Sequence, residues 1–388
     1  MSGPGWFEVR VPGRVNLIGE HIDYHNLPVL PIAIGRGIRI RFRARADAVI
    51  HGESAGFGAR SFEWTRALDA SADGDWINYA KAAAQAVANR WVPGFGIDAE
   101  VTADLPPAAG LSSSSALLTA FTLALLKANG IAAEFDELMS VLPEAEYFVG
   151  TRGGGMDHAA VLGARHGHAL LVRFAPVSIS QVHIPEDWAF LIAHSMTQAE
   201  KSSALRAEYN LRRAAGDRAL VRLGVQSYRA VVDSGSAEEW LARARDVLTG
   251  PELDSFLHTV GEALRVRDAV AAMQRGDAAT FGNLLNESHI SLRDRLRVSC
   301  PELDELVQAA LDSGASGARL TGAGFGGCAV VFCPARDRRR IADGLIERYY
   351  AGRPGFDPGT HLMEAVPSDG ALSPEPPHHP DEQPPAHD

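Results

Sequence analysis

The sequence predicts an α+β protein in two parts, strand-rich at first and helix-rich later. Two patterns and a length carry that expectation. Phe7 to Ala44 and Ile97 to Ala103 read as strands, while five stretches between residues 204 and 313 repeat apolar residues at helical spacing. At 388 residues the chain can bury a large core and form two domains, with three allowed by length alone.

Taken in order, Phe7 to Val11 opens as a strand, and a polar insert from Gly13 to Asn26 separates it from Val29 to Ile34. Ile38-Arg-Ile-Arg-Phe-Arg43 alternates strictly, so a half-exposed antiparallel sheet is the simplest result. Trp76 to Val87 reads as a helix, Ile97 to Ala103 as a strand, and Leu117 to Ala128 as a helix body. Phe135 to Tyr147 reads as one helix carrying Glu137, Glu144 and Glu146. Ala169 to Phe174 and Trp188 to Ala193 read as buried strands that close the first part and open the second. Helices are expected at Ala204–Leu223, Glu238–Leu248, Ser255–Met273, Phe281–Leu292 and Pro301–Ser313, and short strands near Ala318–Leu320 and Ala329–Phe332 flank a glycine-rich turn. From Pro367 to Asp388 the composition turns to Pro, His, Asp and Glu, which buries too little apolar surface to order itself. His378 and His379 there read as solvated rather than metal-binding. The expected organisation is 1–180, 181–366 and a disordered tail 367–388.

Composition narrows the function. The residues are 46% hydrophobic and 22% charged, as in soluble globular proteins, and no apolar run reaches the roughly 18 residues that span a bilayer. Met1 to Pro12 lacks the basic and hydrophobic regions of a signal peptide, so a cytoplasmic protein is expected. A formal charge of −11 argues against nucleic-acid or anionic-membrane surfaces and leaves small molecules as partners. The three cysteines, Cys300, Cys328 and Cys333, match no zinc or disulfide framework. No heptad seam stands out, so a monomer is the default.

Four constellations carry chemistry. In Pro106-Pro-Ala-Ala-Gly-Leu-Ser-Ser-Ser-Ser-Ala-Leu117 a small-residue turn joins a strand to a helix, which gathers free backbone N–H groups and the positive end of a helix dipole at one point. Serines also cap ordinary helices, but four in succession exceed what a cap needs and favour an anion. The lysines are Lys81, Lys127 and Lys201, and none lies in a Gly-Lys-Ser/Thr sequence, which excludes a P-loop. The second stretch, Gly13-Arg-Val-Asn-Leu-Ile-Gly-Glu-His-Ile-Asp-Tyr24, packs Arg14, Asn16, Glu20, His21 and Asp23 between apparent strands; it is either a solvated loop with an Arg14–Glu20 pair or a polyol pocket anchored by Val15, Leu17 and Ile18. Third, Gly153-Gly-Gly-Met-Asp157-His158 either makes a turn or presents Asp157, and spacing alone does not choose. The fourth, Leu320-Thr-Gly-Ala-Gly-Phe-Gly-Gly-Cys328, lies too late in the chain, and leads into a strand, for a dehydrogenase fingerprint. Together they suggest phosphoryl transfer to a small hydroxylated acceptor.

At these residues the chain resembles the GHMP small-molecule kinases, and among them the galactokinases. Its three motifs occur in order as Gly13 to Tyr24, Gly110-Leu-Ser-Ser-Ser-Ser115 and Leu320 to Cys328, and the first is the galactokinase signature. Gly154 to Asp157, Glu208-Tyr209-Asn-x-Arg-Arg213, Glu287-Ser-His-x-Ser-Leu-Arg-Asp294 and Cys300-Pro-Glu-Leu-Asp304 match as well, so that the resemblance covers nearly all of residues 6 to 366.

The resemblance implies a two-lobed α+β fold, with an N-terminal lobe like ribosomal protein S5, a ferredoxin-like C-terminal lobe and the site in the cleft between them. It implies ATP-dependent phosphorylation of the C1 hydroxyl of D-galactose. Glu20, His21, Asp23, Gly154 and Tyr209 would hold the sugar. Asp157 would be the catalytic aspartate, and Arg14 would lie between it and the γ-phosphate. Gly110, Leu111, Ser112, Ser113, Ser114 and Ser115 would wrap the ATP phosphates, with Mg²⁺ on Ser114 and an acidic residue. Family spacing puts that acid at Ala145, so Glu146 is the choice and Glu144 the fallback. Ile22 replaces a common threonine, His25-Asn-Leu-Pro28 replaces the usual turn, and His158 replaces a frequent glutamine, which alters the pocket edge. The rival readings are a kinase for N-acetylgalactosamine or another sugar at C1, and a non-catalytic galactose and ATP sensor.

Overall fold

The computed structural model describes residues 5–106, 110–150, 153–197 and 203–373, without the side chains of 203–209. The chain opens with strands β1 (Phe7–Ile18), β2 (Leu30–Ala44), β3 (Val49–Ser54) and β4 (Gly58–Glu63), helix α1 (Ile77–Arg90), β5 (Ile97–Ala103) and α2 (Ser113–Ala128). Short helices α3 (Phe135–Met139) and α4 (Leu142–Ala145) precede α5 (Met156–Gly163), β6 (His168–Arg173), β7 (Ser178–His183) and β8 (Trp188–His194). There follow α6 (Ser203–Leu223), α7 (Tyr228–Asp233), α8 (Ala237–Val247), α9 (Gly250–Arg275), α10 (Ala278–Ser291) and α11 (Pro301–Asp312). β9 (Gly317–Thr321), β10 (Cys328–Pro334), α12 (Arg338–Leu345), α13 (Pro358–His361) and β11 (Leu362–Glu364) complete the order. No helix among the described residues is long and apolar enough to cross a membrane.

The first sheet runs β1-β2-β5-β3-β4, with β3 parallel to β5 and the other neighbours antiparallel. Side chains alternate across it, so Ile40 and Phe42 meet Val101 and Ala99 on the buried face, while Arg41 faces Glu100 and Arg43 faces Asp98 in solvent. Exposed ion pairs contribute at most about 1 kcal/mol each, so the apolar face sets the register. Helix α2 lays Leu118, Phe121 and Leu125 into the same core. The second sheet, β11-β8-β10-β9, is antiparallel and buried on both faces. Phe190, Ile192, Val330 and Phe332 join the main core with Phe281, and Leu191, Ala193 and Val331 meet Leu306, Ile341 and Leu345 behind it. One apolar core thus runs from β1 and α2 to α9 and β10, and it fixes the motifs relative to one another.

Several expected elements differ. β1 continues to Ile18, because Val15, Leu17 and Ile18 are fully buried and two register shifts against β2 admit the extra residues. At the first shift a Cβ on Gly37 would lie 2.1 Å from the Val11 carbonyl oxygen, so only glycine lets the strands cross there. Val29–Ile34 and Ile38–Arg43 belong to the single strand β2, and the β3–β4 hairpin was not foreseen. The helix expected over Phe135–Tyr147 is broken into α3, α4 and a 3-10 turn at Glu146–Val149. Pro143 explains the break: lacking an N–H, it fits the first turn of α4 and not a helix interior. A division at residue 180 would cut the β6–β7 hairpin, whereas one between Ile184 and Asp187 leaves both sheets whole.

Of the disordered tail expected over 367–388, residues 367–373 are ordered and 374–388 lie outside the described residues. Pro367 bridges to Ile34, and the N–H groups of Ser368, Gly370, Ala371 and Leu372 donate to Ala33, Ala164, Val161 and Leu162 at 3.0, 2.8, 2.8 and 3.1 Å. Composition missed this because these backbone hydrogen bonds, with Ala371 and Leu372 packed against the main core, leave no mark in a Pro- and Asp-rich composition. His378 and His379 lie outside the described residues.

Candidate active site

Four segments converge where β1, the start of α2, the first turn of α5 and the turn after β9 meet. Arg14 on β1 is 5% exposed. Its Nε donates to Asp157 Oδ1 at 2.8 Å, its Nη2 lies 2.6 Å from the same oxygen, and its Nη1 donates to the Gly110 carbonyl at 2.7 Å. One guanidinium therefore clamps the aspartate of α5 to the loop before α2. Burial alone would raise the Asp157 carboxyl, but the Arg14 charge, the Ser112 side chain and the neighbouring His158 together outweigh it, and the pKa falls below the ordinary carboxylate value. Asp157 is ionised at neutral pH, and its side chain keeps 29% exposure for a ligand.

The serine loop is shaped for an anion. Ser112 is left-handed, with φ of 59°, and makes no side-chain bond that caps α2. The helix ladder begins where the Ala116 N–H donates to the Ser112 carbonyl at 2.9 Å, so the preceding N–H groups face off the helix start. Ser115 turns its hydroxyl to Glu146 Oε1 and lies 3.4 Å from Asp157 Oδ2. The serines are not spent on capping.

Glu146 is buried in its 3-10 turn, with His158 Nε2 at 3.5 Å from Oε1 and His158 Nδ1 at 3.2 Å from Thr119 Oγ1. Glu144 is exposed. Of the two candidate carboxylates, Glu146 is the one that shares Ser115 with Asp157. Among the described residues no group of three or more His, Cys, Asp or Glu could hold a metal unaided. A metal on Ser114 and Glu146 would need oxygens from a bound phosphate, as Mg²⁺ sites with few protein ligands commonly do.

On the other side of Asp157, Asp23 accepts from the Gly154 N–H at 3.0 Å. Burial, then the charges of Asp157 and Glu20, push the Asp23 carboxyl up to about 6. Gly154 must be glycine, since a Cβ there would lie 2.5 Å from the Asp23 carbonyl carbon. His21 is left-handed, with φ of 60°, and its Nε2 lies 3.2 Å from the Ala323 carbonyl oxygen. Burial lowers its pKa, so the ring is neutral and Nε2 carries the donated proton. Glu20 is 3% exposed and uses Oε1 to accept from the Gly322 N–H at 2.6 Å and the Thr321 hydroxyl at 3.1 Å. The signature is thus fastened to the C-terminal glycine turn, which in turn abuts the serine loop: a Cβ on Gly322 would lie 3.3 Å from the Gly110 carbonyl oxygen. Tyr209 belongs to α6, and its side chain lies outside the described residues.

Sequence reading missed Arg319 and Thr321. Arg319 is fully buried and donates through Nη1 to the carbonyls of Asn16 and Leu17 at 3.0 and 2.9 Å, while the Thr321 hydroxyl also reaches Asn16 O at 3.0 Å. An arginine inside a five-residue strand otherwise suited to the core was the available signal.

The arrangement defines a class. An ionised aspartate clamped by arginine, a serine turn without lysine at a helix start and a glycine turn behind both have the chemistry that phosphoryl transfer calls for, and the chain belongs to the GHMP kinase superfamily. Residues 78–164 match the GHMP kinases N terminal domain and 269–351 the GHMP kinases C terminal domain. Within it the chain belongs to the galactokinase family. Residues 2–44 match the galactokinase galactose-binding signature. The galactokinase of Roseiflexus sp. (strain RS-1) is 37% identical over 349 residues, covering 88% of this chain and 87% of the relative. That of Bos taurus is 36% identical over 353 residues, with 88% and 87% covered. The crystal structure of Lactococcus lactis galactokinase complexed with galactose superposes with a TM-score of 0.84 at 27% identity, covering 94% of both chains.

Proposed function

We propose that this chain transfers the γ-phosphoryl group of ATP to the C1 hydroxyl of D-galactose, giving galactose 1-phosphate and ADP. The observation that carries the reading is the Arg14 clamp, which puts an ionised Asp157 beside the anion loop on one side and Asp23 on the other. Glu20, His21, Asp23, Gly154 and Tyr209 hold the sugar, and Gly110 to Ser115 receive the triphosphate. Asp157 accepts a hydrogen bond from the C1 hydroxyl, aligns its oxygen for in-line attack and takes its proton. Arg14, already paired to Asp157, stabilises charge that develops on the transferred group. Glu146 fits Mg²⁺ as a buried carboxylate joined to Asp157 through the Ser115 hydroxyl, and Ser114 on the same loop would be its partner ligand. When bound, Mg²⁺ neutralises charge on the triphosphate.

The test is ADP release by the purified protein with Mg-ATP against galactose, N-acetylgalactosamine, glucose, talose and arabinose. Galactose should give the highest kcat/KM. Preference for N-acetylgalactosamine would move the specificity, and galactose binding without ADP release would identify a sensor. Asp157→Asn should bind galactose yet lose about 10²- to 10⁴-fold in kcat.

A further inference from the structure

Two backbone groups just past β1 are recognised from outside the site. β1 makes its last pairing at Ile18 with Leu30, which leaves Gly19 and Glu20 to find partners elsewhere in the interior. Both find them on α9. The Gly19 N–H donates to Glu262 Oε1 at 2.9 Å, and His258 Nε2 lies 3.0 Å from the Glu20 carbonyl oxygen. His258 and Glu262 are four residues apart, on one face of the helix, and both are fully buried.

Their orientation is set by the motif Glu287 to Asp294, which the catalytic reading leaves without a role. The Ser288 hydroxyl donates to Glu262 Oε1 at 2.7 Å, and the Ser291 hydroxyl lies 2.9 Å from His258 Nδ1. The Glu20 carbonyl only accepts, so Nε2 carries the ring proton and Nδ1 accepts from Ser291. Burial, which holds His258 down to about 3, keeps the ring in that neutral form. Arg265, three residues beyond Glu262, closes the network with Nε at 2.8 Å and Nη2 at 2.7 Å from Glu262 Oε2. Burial works against a charged Glu262, but the Arg265 charge leads the interactions that hold its carboxyl down at about 2.

A buried ion pair generally adds little net stability over apolar groups of equal volume, so stability is a poor reason for this network. Its geometry supplies a better one. We propose that His258 and Glu262 are positioning residues for the sugar pocket: by fixing the Gly19–Glu20 backbone they set the turn that aims His21 and Asp23. This rests on the reading that the signature holds galactose. Ser288 and Ser291 act through the same two side chains, with no contact to the sugar required.

The experiment measures KM for galactose and for ATP, kcat, and galactose affinity by titration calorimetry in Glu262→Gln, Ser288→Ala, Ser291→Ala and Ser291→Thr, with Asp23→Asn as the pocket control. Glu262→Gln should raise the galactose KM and Kd about tenfold, and each Ser→Ala about threefold, while the ATP KM and saturated kcat stay within about twofold. Ser291→Thr keeps the hydroxyl and should recover most of the affinity. Galactose affinity unchanged in all of these, with Asp23→Asn impaired, overturns the positioning role and spares the pocket. Equal rises in both KM values with a lower Tm also overturn it, because they mark a structural role alone. An unimpaired Asp23→Asn shows instead that the galactose pocket is misassigned. If Glu262→Gln does not fold, the serine variants decide by the same criteria.

Discussion

Arg14 and Asp157 lie 143 positions apart in sequence, yet the site depends on their contact. Each residue was visible as a candidate, since arginine and aspartate beside glycines are uncommon in apolar surroundings. Their juxtaposition came only from the family resemblance and not from residue spacing, because it is made by packing α5 against β1. Asp23 illustrates the same limit. Its identity is in the sequence, whereas its carboxyl is raised to about 6 only because folding buries it near Asp157 and Glu20. A raised carboxylate is protonated below that value and ionised above it. If ionised Asp23 accepts from sugar hydroxyls, galactose affinity should climb as pH rises from roughly 5 to 7 and then level off. In Asp157→Asn one of the charges raising Asp23 is gone, and the inflection should move to lower pH. Calorimetric titration across pH measures both, and an inflection that persists in Asp23→Asn would belong to another group.

At the scale of elements, the motifs were legible because their chemistry is local: a glycine turn, a run of serines and a helix start are read within a dozen residues. Boundaries set by tertiary contacts were not. The signature's first six residues proved to be strand, since Val15, Leu17 and Ile18 are buried against the core, and a polar insert was the natural reading of Arg14 and Asn16. Pro143 was in plain view, but the helical spacing around it outweighed its meaning, which put Glu144 and Glu146 on one continuous helix. With the 3-10 turn in place, Glu146 points at Ser115 and Glu144 at solvent. Glu146→Ala should therefore raise the Mg²⁺ concentration for half-maximal activity by about tenfold or more, and Glu144→Ala by less than about twofold. A metal titration of ADP release at saturating ATP separates them, and the reverse ranking would reassign the ligand.

For the whole molecule, the strand-rich and helix-rich halves were readable from periodicity, and their common core was not. The sharing has a purpose: Glu20, Thr321 and Gly322, from opposite ends of the chain, meet in one buried network and hold signature and glycine turn together. Residues 367–373 extend that logic by stitching the segment after β11 to β2 and to the end of α5. A chain ending at Val366 should be less stable than one ending at Ser373 by about 2 kcal/mol, since four backbone hydrogen bonds go with the segment. Equal midpoints in urea would contradict that stitching role. The central claim, phosphoryl transfer to C1, is met most directly by ³¹P NMR of the reaction of galactose with Mg-ATP. One sugar monophosphate coupled to the anomeric proton should grow in step with ADP. ADP rising with inorganic phosphate alone, or a phosphate on C6, would contradict the account.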